Sequence, residues 1–235
     1  MQIDSVLPAP VRRLRHTVQL LGTLAKLALR DGDPIAPAYQ LQQALRAMAR
    51  PEDLADVQRA LSRDAVLSAM GAERWLPARY ALADLASLPP GTLGRELHDL
   101  MARNGLMPDF FPEFDPANEL EYLGLRSQQT HDIWHVVTGY GNDEIGEVTI
   151  LGFYLGNFLE HHGAVGESMM VLPLILIGTS FVRYALLHRD TVRPLLEGFH
   201  AGWTRGRRTP SLVPVKWETM WHRPVDELRG ELGLS

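Results

Sequence analysis

The chain has no cysteine among its 235 residues. Disulfides and thiolate-held zinc are therefore excluded, and any metal must be held by nitrogen and oxygen. A basic excess is lacking too: the formal net charge is −5 and the pI about 6.0, which argues against a general nucleic-acid binder. Long apolar runs are missing. The most apolar stretch, Ser168 to Val182, carries no charge but is shorter than the ~20 residues a bilayer span needs and contains Pro173, so it is expected to be a buried helix. Its functional alternative is one wall of an apolar groove for a lipid tail. No segment alternates with period two for long enough to make a strand. Also absent are the G-x-S-x-G elbow, the Walker loop, the Rossmann glycine fingerprint and the H-E-x-x-H of zinc proteases. With 46% hydrophobic and 22% charged residues, the chain is expected to form one globular all-α domain over residues 1–235.

Helical spacing recurs along the chain. From Ser5 to Arg30 there is no acidic residue, whereas Arg12, Arg13, Arg15, Lys26 and Arg30 are basic. Leu14, Val18, Leu21, Ala25 and Ala28 make one apolar stripe there. The expected arrangement packs this stripe on the core with a basic outer face; a membrane-surface helix is the alternative, and a transit peptide fits less well because the segment is not rich in serine. Helical patterns resume through Tyr39–Ala49, Leu54–Leu61 and 65–87. Thr92 is a candidate N-cap for a helix through Met101. Residues 105–118, with Phe110, Phe111 and Phe114, read as a packed connector. Apolar residues from Val148 to Leu159 surround a helix on nearly every side, which marks it as buried; His161-His162 is expected to end it and Gly163 to cap it. Arg183 is expected to snorkel or pair with an acid, and Arg205-Gly206-Arg207-Arg208 to form a solvated basic loop.

The stretch richest in chemistry is His131-Asp132-Ile133-Trp134-His135, followed after eleven residues by Glu147. Histidines at i and i+4 share one helix face, and Asp132 lies about 100° round from His131. Gly139, Gly141 and Asn142 supply residues that tolerate φ > 0 and end a helix, and Asp143 can cap a second helix carrying Glu147 in its first turns. Two imidazoles and two carboxylates would suit Zn²⁺, Fe²⁺ or Mn²⁺. A plain polar face remains the alternative on spacing alone. His161 and His162 are ligands by residue type, but they lie too far along the helix from Glu147 to join it, so a surface or capping role is expected.

The pattern H-D-x-x-H-x(11)-E resembles the signature of the Coq-four family of coenzyme Q (ubiquinone) biosynthesis, and Gly146 stands before the Glu as in that family. Pro89-Pro90-Gly91-Thr92-Leu93-Gly94, Asn104-Gly105, Pro108-Asp109, Tyr122 and Arg126 resemble its upstream segments. Trp217-Glu218, Trp221, Pro224, Leu228-Arg229 and Leu232-Gly233 are similar to its closing segment. The likeness covers roughly residues 85–235, with the motifs in 89–235, and reaches more weakly into 1–88. Two segments depart from the pattern: Ser127-Gln128-Gln129-Thr130 stands where the family carries Tyr-Arg-Glu-x, and Leu151-Gly152-Phe153-Tyr154 where it carries Lys-Trp-Phe-Glu.

The resemblance implies a divalent metal, zinc first with iron or manganese as alternatives, held by His131, Asp132, His135 and Glu147, which would also be the catalytic set. It implies a lyase acting in ubiquinone biosynthesis by oxidative C1 decarboxylation of a polyprenylated hydroxybenzoate. The alternative is a non-catalytic scaffold that binds a prenyl lipid or quinone precursor. Implied partners are the prenylated aromatic, other quinone-biosynthesis proteins and a second copy of the chain, with no nucleic acid. A cytoplasmic, non-secreted protein in peripheral contact with the inner face of a membrane is the matching expectation.

Overall fold

The computed structural model describes residues 9–29, 40–41, 44–45, 48, 50–106 and 115–234. The described residues hold helices α1 (Ala9–Leu29), α2 (Pro51–Arg63), α3 (Ala65–Glu73), α4 (Leu82–Ala86), α5 (Leu93–Asn104), α6 (Glu119–Thr138), α7 (Glu144–Met169), α8 (Val171–Leu187), α9 (Val192–Arg208) and α10 (Val225–Glu231), with 3₁₀ turns at Arg189–Thr191 and Trp217–Thr219. No strand occurs among them, only one isolated bridge between Thr92 and Pro224. The fold is all-α and a single domain. The expected aromatic connector falls mainly on residues outside those described, as does most of Tyr39–Ala49.

The centre of the fold is the packing of α6, α7 and α9. Trp134 of α6 and Phe153 and Phe158 of α7 are fully buried together, alongside Trp217 from the C-terminal turn. α7 and α9 approach closely because glycines line their contact. A methyl group on Gly202 would overlap the Thr149 carbonyl, and one on Gly206 the Phe153 carbonyl; on α7, one on Gly156 would overlap Trp203 of α9. Backbone-to-backbone contact of this kind is open only to a residue without Cβ.

α6 starts at Asn118, whose side chain accepts from the Glu121 N–H, and ends at Gly139 in the left-handed region (φ 75°). Its last carbonyls are held by two arginines: Arg229 donates to Val136 and Val137, at 2.9 and 3.0 Å, and Arg205 to Thr138 at 2.6 Å. Positive charge at a helix C-terminus also complements its dipole. α7 begins at Asp143, whose carboxylate accepts from the Gly146 N–H at 2.7 Å. A buried pair ties α6 to the C-terminal segment, with Arg126 donating twice to Glu218, at 2.7 and 2.9 Å, beneath the Trp75 ring.

Three expectations need correction. The stripe Leu14, Val18, Leu21 is exposed, not packed; α1 lies against α8, and the side chains it buries are Thr23 and Leu27 instead. Both stripes have helical spacing, so periodicity alone could not choose between them. α8 is not buried: only Ile177, Arg183 and Tyr184 are, because one side meets the body and another lies open. The expected break after His161-His162 is present: Gly163 (φ 45°, ψ −123°) is non-helical and interrupts α7 there, and a second helical stretch continues to Met169, where Val165 and Gly166 are again buried. Arg205–Arg208 is the last turn of α9 rather than a loop.

Candidate metal centre

The turn at Gly139–Asp143 folds α7 back so that its first turn faces the last two turns of α6. A side chain on Gly146 would overlap the Gly141 carbonyl, so the residue before Glu147 must be glycine for this return. Three side chains then converge. His135 Nε2 lies 3.2 Å from His131 Nε2 and 3.2 Å from Glu147 Oε1, and His131 Nε2 lies 3.5 Å from Glu147 Oε2. Donor atoms each bonded at ~2.1 Å to one cation, at angles between octahedral and tetrahedral, stand about 3.0–3.5 Å apart. The two carboxylate distances are to different Glu147 oxygens, and one donor atom from each of the three residues lies within 4.8 Å of the others, so the group could hold an ion after a small adjustment; two imidazoles with a carboxylate are hard-to-borderline donors suited to zinc, iron or manganese.

The donors are oriented from behind. His135 Nδ1 sits 3.2 Å from the Tyr140 carbonyl, which can only accept, so the proton belongs on Nδ1 and the lone pair of Nε2 faces the trio. The His135 side chain is 1% exposed, while those of His131 and Glu147 are 29% and 38% exposed, so the cluster opens on one side. Electrostatics bind the trio together as well. Burial pushes the Glu147 carboxyl upward, but hydrogen bonds and charge from His131 and His135 prevail and hold it at about 2. Burial lowers the His131 imidazole, yet Glu147 and then Asp132 outweigh it and raise it above the ordinary value.

Asp132 is not in the converging group. Its charge is felt by His131 and by two tyrosines. Burial first, then Glu218 and Asp132, push Tyr80 up to about 12, and burial lifts the Tyr154 phenol far above its usual range. The Tyr154 ring stacks at 4.0 Å on Trp134 and lies nearly parallel to His131 at 6.0 Å, so it forms a wall of the site. Sequence reasoning did not single it out as a wall, although it stands seven residues after Glu147 and hence on the same helix face. Arg205 and Arg229 were likewise missed as caps of the histidine helix, since a side chain that bonds distant carbonyls leaves no local pattern.

The remaining histidines are used elsewhere. His161 meets the Thr209 carbonyl at 2.8 Å. His162 is buried, with Asp64 at 2.8 Å on Nδ1 and Ser211 Oγ at 2.7 Å on Nε2. That connectivity is the one found in serine hydrolases. Here, however, the next N–H, Leu212, is consumed by the buried Asn157 side chain, and the triplet links the α2–α3 junction, the α7 bend and the 209–216 segment. Arg183 pairs with Glu144 at 2.9 Å, as expected of a charge on an apolar helix.

An all-α protein whose helix-turn-helix gathers two histidines and a glutamate that could hold a metal ion is the class defined so far. The family model for coenzyme Q (ubiquinone) biosynthesis protein Coq4 matches residues 73–235, and the chain belongs to that family. The mitochondrial ubiquinone biosynthesis protein COQ4 homolog of Rattus norvegicus is 29% identical over 157 residues, covering 66% of this chain and 54% of that protein. The corresponding protein of Botryotinia fuckeliana is 28% identical over 185 residues, covering 74% and 60%. The chain thus spans between about half and three fifths of the length of these relatives. A Nostoc punctiforme protein of known crystal structure, assigned provisionally to ubiquinone biosynthesis, superposes with a TM-score of 0.73 at 26% identity, covering 97% of this chain and 100% of that one.

Proposed function

We propose that this protein is a metal-dependent enzyme of ubiquinone biosynthesis that removes the C1 carboxylate from a polyprenylated 4-hydroxybenzoate. The observation that carries this reading is the convergence of one donor atom each from His131, His135 and Glu147, all within 4.8 Å of one another, on a partly open face. Three protein donors leave coordination positions free, as in catalytic rather than structural sites. A bound divalent ion would supply Lewis acidity toward a carboxylate or phenolate of the substrate. His135 stays oriented through Tyr140, and Glu147 stays ionised beside the imidazoles. Asp132 adds negative charge next to His131, and the Tyr154–Trp134 stack forms an apolar wall against which an aromatic ring can lie. Loss of CO₂ coupled to ring oxidation needs an external oxidant, of the class of dioxygen.

A scaffold that binds the prenylated precursor without turning it over is the second reading. It is favoured by Tyr154, which places a phenol of very high pKa, rather than a carboxylate, beside His131. The two readings separate in one assay. With a prenylated 4-hydroxybenzoate, the parent protein should form decarboxylated product and His135→Ala should lose it by ~100-fold or more, as removal of a metal ligand or its support commonly does. If the parent binds the lipid without product, and His135→Ala binds it equally, the scaffold reading stands.

A further inference from the structure

Asp64, His162 and Ser211 meet from three separate stretches of chain, and His162 stands about 22 Å along α7 from Glu147 at 1.5 Å per residue. Asp64 Oδ1 accepts from the Val66 and Leu67 N–H groups at 3.0 and 2.9 Å, and the lowered carboxyl is ionised at neutral pH. An ionised carboxylate only accepts, so the proton lies on His162 Nδ1, which donates to Asp64 Oδ2 at 2.8 Å. In the neutral ring the lone pair is then on Nε2, and Ser211 Oγ donates to it at 2.7 Å. The serine is held as firmly as its base. Asn157, fully buried, donates to the carbonyls of Gly206, Thr209 and Pro210 and accepts from the Leu212 N–H, while His161 donates to the Thr209 carbonyl. Nor is the trio sealed. Ser211 is half-buried, Pro210 and Pro214 beside it are exposed, and a methyl group on Gly163, next to His162, would meet open space. Among the described residues nothing accepts from the Ser211 N–H. The nucleophile's own N–H is an oxyanion donor in one class of serine hydrolase.

We propose that Ser211 is an activated nucleophile, with His162 as its general base and Asp64 positioning that base, and that the trio hydrolyses short-chain carboxylic esters. A half-buried serine between exposed prolines admits a small group from solvent, which sets the substrate class. Ser211 Oγ attacks the ester carbonyl carbon as its proton passes to His162 Nε2, and the Ser211 N–H donates to the developing oxyanion. The bond from that carbon to the alcohol oxygen breaks, and the alkoxide leaves with the proton from Nε2. Water then attacks the acyl-serine, His162 takes its proton and returns it to Oγ, and the carboxylic acid departs. The sum is ester and water to acid and alcohol. Asp64, kept ionised by two backbone donors, fixes the imidazole tautomer and stabilises the imidazolium that forms.

The test treats the purified full chain with a fluorophosphonate probe and, separately, with p-nitrophenyl acetate. The parent should be labelled at Ser211, located by peptide mass spectrometry, and should hydrolyse the ester; Ser211→Ala, with unchanged circular dichroism, should lose both. Asp64→Asn should lower kcat by ~10³-fold or more and leave KM unchanged, a split that a purely structural role would not produce. Because the chain has no cysteine, Ser211→Cys adds a readout free of background. Its thiol should react with iodoacetamide about tenfold faster or more than that of Ser87→Cys, an exposed position after α4. An unlabelled Ser211 in the parent, or alkylation no faster than for Ser87→Cys, overturns the proposal and leaves the trio a structural tie. Hydrolysis that survives Ser211→Ala and stops with a chelator belongs to the metal centre and overturns it as well. None of these outcomes bears on decarboxylation, so this inference and the proposed function fail separately.

Discussion

His131, His135 and Glu147 hold one another in protonation states that bear on metal binding. The raised His131 imidazole means that a proton competes with metal up to a higher pH than at an ordinary histidine. A metal ion needs the neutral ring, so loading must release that proton. The sign follows: affinity is highest above the raised His131 value, itself above the ordinary 6.5, and falls by up to about tenfold per unit as the pH drops below it. Glu147, held at about 2, contributes no competing proton in that window. Zinc affinity measured by chelator competition should rise from pH 5 to pH 8; a flat profile would contradict the assignment of His131 as a donor. Legibility differs among these residues. The His pair and Glu147 can be read from i, i+4 spacing and a glycine turn, and Asp143 from its capping position. The exclusion of Asp132 from the converging trio could not be read, since it depends on how α6 is rotated against α7.

The pairing of α7 with α9 decides how firmly the centre is built. Gly152 and Gly156 on α7, and Gly198, Gly202 and Gly206 on α9, recur every four residues, a pattern present in the sequence that only gains meaning once the two helices are known to touch. Gly202→Ala would push a methyl group into the Thr149 carbonyl on α7, in the turn following Glu147. Overpacking of this kind costs roughly 1–3 kcal/mol, so the midpoint of chemical denaturation should fall without a change in slope. An unchanged midpoint would mean that the helices can separate freely. The first and eighth helices teach a different lesson. Each has apolar residues on more than one side, and which side packs is settled by neighbours distant in sequence, so Leu14 and Leu174 could be mistaken for core.

At the scale of the molecule, three long-range ties close the fold: Arg126 with Glu218, Arg205 with the carbonyls of Thr138 and Leu234, and Asp64 with His162. All join segments too far apart for a sequence pattern to announce them, whereas the all-α class and the family likeness were legible from periodicity and motifs. Burial pushes the Asp64 carboxyl upward, but backbone N–H groups of Leu67 and Val66 and the His162 partner prevail and lower it below 3.8. A lowered carboxylate stabilises the fold above its ordinary value, and that contribution is lost as pH falls through the folded value. Asp64→Asn should therefore cost stability at pH 7 and narrow its gap to the parent in thermal melts taken progressively below about pH 4. A gap independent of pH would show that the ionised carboxylate is not what matters.

The most direct measurement is elemental analysis of the purified protein beside the double variant His131→Ala, His135→Ala. The result predicted is close to one divalent ion per chain in the parent and none in a variant that keeps its helical circular dichroism. A parent with no metal, even after loading with zinc, iron or manganese, would contradict the metal centre.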